Sequence, residues 1–282
     1  MNRHLAVAAV IAAAALTLTG CTKPGNPASP GTNTSGSTPA VTLVAPGTLT
    51  VCTNPPFPPL EDVDASGKVV GFDLDLMGVV ADALGAKVNV IQAEFSQITS
   101  GAVFAAKKCD IGASGITIND ARKQAVTFSR PYFSATQALA VKSDSGITGL
   151  DGLSGKTVAV QTDTTGADYA DANKDKYGYT VMVFDDAGTA LNSLLSGRAQ
   201  AAIVDKAVVY SFVASNPTTQ VATEFQTGEL YGFAAKGNDA NATALIGLVN
   251  DALAKADTDG TYLRIYKTWI DPLATTAPLP PA

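Results

Sequence analysis

Between residues 47 and 205, short apolar runs alternate with stretches of helical periodicity, and the alternation starts twice. Leu49 to Thr53 reads as a strand behind the Pro46-Gly47 turn. Gly71-Phe72-Asp73-Leu74-Asp75 then leads into a helix whose apolar residues Met77, Val80, Ala81 and Leu84 follow i, i+3, i+4, i+7 spacing. Asp73 is placed to cap that helix and Gly85 to stop it. A strand over Lys87 to Ala93, a helical stretch to Lys108 and a strand from Asp110 to Ser114 complete a parallel α/β unit. After Pro131-Tyr132-Phe133 the pattern begins again. Strands are predicted over Gln137 to Lys142, Thr157 to Gln161, Val181 to Asp185 and Ala201 to Val204, with a helix opening at Thr162 to Gly166 and another over Ala190 to Leu195. Glu229 to Ala234 is one more extended piece, suited to returning the chain to the first half, and two helices close the sequence. In such α/β units ligands sit beyond the carboxyl ends of the strands.

The polar residues at those ends are therefore the candidate site. In Gly112 to Arg122, Asn119 and Asp120 are helix-capping residues, which puts Arg122 in a first helical turn. A cation there opposes the helix dipole by roughly 0.3–1 kcal/mol, so an anion is expected to compensate it. Gly115 admits a ligand close to the backbone, and Ser114 and Thr117 supply small donors and acceptors. From this segment alone two readings stand: a socket for a small carboxylate, or a solvated Arg122 paired with Asp120 or Asp110. Asp205, delivered by the strand Ala201 to Val204, has the same topological address as Ser114; it is either a ligand contact or the cap of the next helix. Phe57, held by Pro55, Pro56, Pro58 and Pro59, is either a platform or a plug for the core edge.

The ends of the chain and its composition exclude several classes. Leu5 to Leu18 is an apolar run behind Arg3, too short to span a membrane, and Leu18-Thr19-Gly20-Cys21 is a lipobox, so residues 1–20 read as a lipoprotein signal peptide and Cys21 as the lipidated residue. Residues 21–46 read as that cysteine and a flexible Pro/Gly/Ser/Thr stalk, and residues 272–282 as a loose tail. The protein is expected to be extracytoplasmic and tethered to the cell membrane by lipid. Net charge is −6, and there is no basic run, which argues against nucleic acid. The single histidine, His4, lies in the leader, so the processed chain has no imidazole for Ser-His-Asp or Cys-His catalysis or for the usual metal sites. No cofactor and no metal are expected. Cys52 and Cys109 remain, either paired or as two buried thiols.

With these segments in place, the chain resembles the polar amino-acid-binding proteins of ABC importers, the bilobed extracellular solute-binding family that includes histidine, lysine/arginine and glutamine receptors. Thr53 to Glu61 resembles the family's threonine-acid-x-x-aromatic-x-proline entry, Gly71 to Leu76 its GFDxDL segment, Gly115 to Arg122 its GxTIxxxR segment, Gln161 to Gly166 its QxGTTG turn and Gly260 to Trp269 its GTYxxIYxxW ending. The resemblance implies an α/β, two-lobed periplasmic-binding-protein-like fold of type II, each lobe a mostly parallel sheet flanked by helices, with two crossover strands as hinge. It places residues 47–140 plus 232–271 in lobe 1 and residues 141–231 in lobe 2. Carried onto this sequence, it implies that Arg122 clamps an α-carboxylate with backbone N–H groups at Thr164 and Thr165. Asp205 would hold the α-ammonium with Gly115 and Thr117 or Ser114, and Phe57 and Phe95 would sandwich the side chain. Asn54 and Gln161 complete the ligand-binding set. The implied partner is a membrane permease of an ABC transporter, the implied state a monomer, and no catalysis is expected.

Three departures bear on specificity. Asn54 stands where receptors for cationic or amide side chains often have Asp, Leu60 replaces the usual aromatic residue, and Asp163 replaces a glycine. Asn54, both donor and acceptor, suits glutamine or asparagine; Asp163, if it faces the cleft, suits a basic amino acid instead. Two other roles fit the same scaffold: a ligand sensor, and an exported cyclohexadienyl dehydratase-like enzyme with Glu61 or Asp163 as general acid.

Overall fold

A computed structural model describes residues 41–276 and 279–281; the expected signal peptide, Cys21 and most of the expected stalk lie outside the described residues. The chain begins with β1 (Thr48–Thr53), a small hairpin of β2 (Asp62–Val63) and β3 (Val69–Val70), α1 (Phe72–Leu84), β4 (Lys87–Gln92), α2 (Phe95–Thr99), α3 (Ala102–Ala105), β5 (Ile111–Gly112), α4 (Asp120–Lys123) and β6 (Val126–Phe128). It continues through β7 (Phe133–Lys142), β8 (Thr157–Gln161), α5 (Thr165–Tyr177), β9 (Thr180–Phe184), α6 (Ala187–Ser196), β10 (Ala201–Asp205), α7 (Lys206–Ser215) and β11 (Thr219–Tyr231). It ends with β12 (Ala234–Lys236), α8 (Ala240–Thr258) and α9 (Thr261–Trp269). Among the described residues no helix is long and apolar enough to cross a membrane.

Two mixed five-stranded sheets result, ordered β4-β1-β5-β12-β6 and β11-β7-β10-β8-β9. In the first, β1 runs parallel to β4 and β5, whereas β12 is antiparallel to both β5 and β6. In the second, β8 runs parallel to β9 and β10, and the long strands β7 and β11 are antiparallel to each other. The fold is thus two-lobed and α/β. Consecutive β-strands with helical crossovers account for the parallel pairs. The antiparallel members are the strands through which the chain leaves one sheet and re-enters the other.

Helix α1 illustrates how local signals and packing combine. Gly85 ends it in the left-handed conformation (φ 63°), as its position after the apolar stripe predicts. The start differs from expectation. The helix begins at Phe72 behind Gly71, so Asp73 lies inside the first turn and does not cap it. Gly71 permits this entry because a Cβ there would lie 2.1 Å from the Leu60 carbonyl oxygen. Asp73 is thereby turned inward, fully buried, where its Oδ2 accepts from the Gly115 N–H (3.0 Å) and the Tyr132 hydroxyl (2.8 Å). Phe72, Leu76 and Met77 on the same helix are fully buried, each contributing about 1.5–3 kcal/mol by its removal from water.

An aromatic cluster supports the point where the chain passes between the sheets. Tyr132 stacks on Phe233 with centroids 4.0 Å apart, and Phe133 at the start of β7 stacks on Tyr231 at the end of β11 at 5.6 Å. Tyr262 from α9 packs edge-on against Phe72 and donates its hydroxyl to the Tyr132 carbonyl at 2.7 Å. Such pairs add to simple burial. Cys52 and Cys109, in adjacent strands' reach, form a disulfide with a Cα–Cα distance of 5.8 Å. Closing a loop of 57 residues restricts the unfolded chain and is worth roughly 4 kcal/mol.

Candidate functional site

The carboxyl ends of β1, β5, β8 and β10 converge on a narrow cavity lined by Asn54, Phe57, Phe95, Ser114, Gly115, Thr117, Arg122, Gln161, Thr164, Thr165 and Asp205. The structure thus brings together every residue of the ligand-binding set read from the sequence. Their hydrogen bonds show that they are not equally available.

Arg122 is buried, with 8 % of its surface exposed. Asn119 caps α4 by accepting the Arg122 N–H at 2.8 Å. The helix is a single turn, so the dipole argument has little weight; the charge is isolated by burial instead. The solvated alternative does not occur: Asp120 pairs with Lys123 at 3.2 Å, and Asp110 accepts the backbone N–H groups of Val44 and Thr50. Arg122 forms no ion pair among the described residues. Its guanidinium donates to the carbonyl oxygens of Thr117 (3.0 Å) and, across the cleft, Asp163 (2.8 Å), and lies 5.2 Å from the centre of the Phe95 ring. Burial lowers its pKa, while the fields of Asp205, Asp168 and Glu229 raise it. A buried guanidinium held only by neutral groups is a ready partner for an anion.

Asp163 contributes its carbonyl from a left-handed backbone (φ 56°) and is not among the cavity-lining residues. Thr164 caps α5, accepting the Ala167 N–H at 3.0 Å. The first N–H groups of a helix lack internal acceptors, which suits this end of α5 to a carboxylate.

The opposite end of the cavity is acidic. Asp205 precedes α7 but makes no capping bond with its side chain. Its Oδ1 instead accepts from Gln137 Nε2 at 3.0 Å and from the Tyr231 hydroxyl. Burial, then the neighbouring Glu229, pushes its pKa up to about 7, against the opposing hydrogen bonds and Arg122. Glu229 lies behind this group. Its Oε2 accepts from the hydroxyls of Thr117 (2.7 Å) and Thr165 (2.6 Å), and its Oε1 from Gln137 Nε2 (3.1 Å).

Other residues of the set are engaged elsewhere. Asn54 spends its amide on the Ala93 carbonyl (2.9 Å) and its oxygen on Gln161 Nε2 (2.7 Å), which spans the cleft. Ser114 donates to Glu61 Oε1 at 2.5 Å and accepts the Asn54 N–H, leaving Thr117 as the hydroxyl near Asp205. Phe57 is both platform and plug: it lines the cavity, and its Cε1 would lie 2.7 Å from a Cβ at Gly115, where φ is 54°. Glu61, a conceivable general acid, is fully buried and outside the cavity lining; burial and Asp73 hold its pKa well above the ordinary range. On the far side, Pro56 seats on Gly188 at the start of α6, where a Cβ would lie 2.5 Å from its Cγ.

Sequence reasoning missed Gln137, Tyr231, Glu229, Glu61 and Asp73 as parts of the site's support. A signal was present for two of them: Glu229 and Tyr231 alternate on one face of a strand whose Tyr231 end is aromatic, and an acid on an inward face needs a reason.

Two α/β sheets linked by paired long strands, with a small polar cavity between facing strand ends, define a clamshell receptor for a small solute. The chain belongs to the bacterial extracellular solute-binding proteins, family 3, whose family model matches residues 49–272. It is 32% identical over 212 residues to the ABC transporter glutamine-binding protein GlnH of Bacillus subtilis (strain 168), covering 73% of this chain and 74% of that one. Among solved structures it is similar to an ancestral arginine-binding protein bound to arginine (TM-score 0.74, 38% identity, 79% of this chain and 98% of that chain). An ancestral arginine-binding protein bound to glutamine aligns with a TM-score of 0.74 at 37% identity, over 80% of this chain and 98% of that chain.

Proposed function

We propose that this protein is the extracytoplasmic, lipid-anchored receptor subunit of an ABC importer and binds a free polar L-amino acid between its lobes, glutamine or asparagine first. The observation that supports this most is the pair of buried, oppositely signed groups on one cavity: Arg122, without an ion-pair partner among the described residues, and Asp205. A zwitterion neutralises both at once, whereas a simple anion or cation leaves one charge buried and uncompensated. Arg122 and the start of α5 take the α-carboxylate; Asp205, Thr117 and the Gly115 carbonyl take the α-ammonium; Phe57 and Phe95 flank the side chain. Affinity in the micromolar range, on the order of −8 kcal/mol, needs no covalent step. Closure brings Asn54 to Gln161 and Arg122 to Asp163, and the closed face is what a permease reads.

A basic amino acid is the second reading. It is favoured by the acidic excess at this end, where Glu229 lies behind Asp205, and by the similarity to an arginine-binding protein. Calorimetry of the purified protein against the common L-amino acids tests the reading: saturable binding of glutamine, asparagine or a basic amino acid is expected, and no binding of any amino acid overturns it. Uptake assays after gene deletion test the importer role against that of a sensor, and labelled fatty acid on Cys21 tests the anchor.

A further inference from the structure

Glu229 is a buried acid whose role is not explained by contact with the cavity. It does not line it, it forms no ion pair among the described residues, and three neutral donors converge on it. Its placement is built: the β7–β11 register shifts between Phe225 and Glu229, Gly228 adopts φ 66°, and the irregularity turns Glu229 toward the cleft floor.

We infer that Glu229 is a positioning residue of the ligand site: by accepting the hydroxyl hydrogen bonds of Thr117 and Thr165 it leaves both oxygens as acceptors toward the cavity, so that the cleft floor reads an ammonium group. A hydroxyl has a single proton and two lone pairs, and a carboxylate only accepts. With both hydroxyls donating to one Glu229 oxygen at 2.7 and 2.6 Å, neither has a proton for the cavity. The two protons of Gln137 Nε2 go to Asp205 (3.0 Å) and Glu229 (3.1 Å), so none remains for the Thr165 oxygen 3.4 Å away, and Thr117 and Thr165 both face the cavity as acceptors beside Asp205. Because Thr117 comes from the first lobe and Thr165 from the second, the two meet on Glu229 only when the lobes are together. Glu229 therefore links closure to the polarity of the floor. A ligand donor finds acceptors on Thr117, Thr165 and Asp205, whereas an acceptor group in the same place finds no donor.

This rests on the amino-acid reading of the cavity, and the test separates the two. In Glu229→Gln the carboxamide keeps its bond from Gln137 only with its oxygen on that side, which puts the amide nitrogen on both threonines and turns both hydroxyl protons back toward the cavity. Binding of L-glutamine and of glutaramic acid, which lacks only the α-ammonium, is measured by calorimetry in wild type and variant, and likewise L-arginine against δ-guanidinovaleric acid. The expected result is at least a tenfold loss of discrimination between each amino acid and its deaminated analogue. A merely structural role weakens both by the same factor, and an unchanged ratio overturns the inference. Should circular dichroism show E229Q unfolded, Thr117→Val is read instead; it removes one of the acceptors itself and must show a loss of discrimination, an unchanged ratio again refuting the assignment. If wild type binds no amino acid, the proposed function falls and takes this inference with it; a binding wild type beside an E229Q with unaltered discrimination sinks the inference alone.

Discussion

The two poles of the cavity are built on opposite plans. Among the described residues Arg122 bonds only neutral groups, two carbonyls drawn from facing lobes, beside an aromatic ring, and makes no ion pair. Asp205 accepts hydrogen bonds from Tyr231 and Gln137, with the Glu229 carboxylate behind it on the same Gln137 amide. Burial acts on both, but with different consequences. It lowers the pKa of a guanidinium from so high a starting value that the group remains charged, whereas it lifts an aspartate to about 7, where its charge depends on conditions. The cationic pole is thus a permanent fixture and the anionic pole an adjustable one.

The largest expected break in this contrast is Arg122→Ala, which leaves a bound carboxylate unpaired and costs about 3–5 kcal/mol of binding. Calorimetry with L-glutamine and L-arginine reads it, and wild-type affinity for whichever is bound refutes the clamp. Asp205→Asn keeps shape and removes the charge, with an expected loss of about 1.5–3 kcal/mol. It also separates the poles by pH. In the wild type, affinity should fall up to about tenfold per unit as pH drops below 7, because binding the ammonium requires Asp205 ionised, and the variant should be flat over that range.

Stability without ligand should move the other way. Asp73 and Asp205 have folded-state pKa values raised to about 7, so the folded protein holds more protons than the unfolded chain between about pH 4 and 7. Their contribution is fully present below the unfolded pKa and is lost as pH rises through 7. A melting temperature that climbs from pH 5 to pH 8 would contradict this. The smallest effect is expected from Gly188→Ala. Its Cβ would press on Pro56 and cost closure about 1 kcal/mol, equally for an amino acid and its deaminated analogue, because it touches neither pole. A change confined to the amino acid would place Gly188 in the site itself.

Much of the architecture was readable along the chain. Alternating periodicities predicted two α/β halves, Gly85 and Asn119 terminate and cap their helices as their types dictate, and the cavity-lining residues lie at strand ends where parallel sheets expose backbone and short side chains. These are local properties, or properties of strand order. The polar support behind the cavity was not readable. Asp73 looks like a cap until Gly71 admits an earlier helix start, and Glu229 looks like an ordinary strand residue until the bulge re-aims it. Gln137 becomes a bridge only through its register opposite Asp205.

Side-chain type and periodicity, set by the sequence, were enough to determine the elements, their order and which polar groups reach the strand ends. Tertiary structure alone decided which of those groups keep a free charge and which spend it on a neighbour, because hydrogen-bond partners and burial depend on residues brought together from distant parts of the chain.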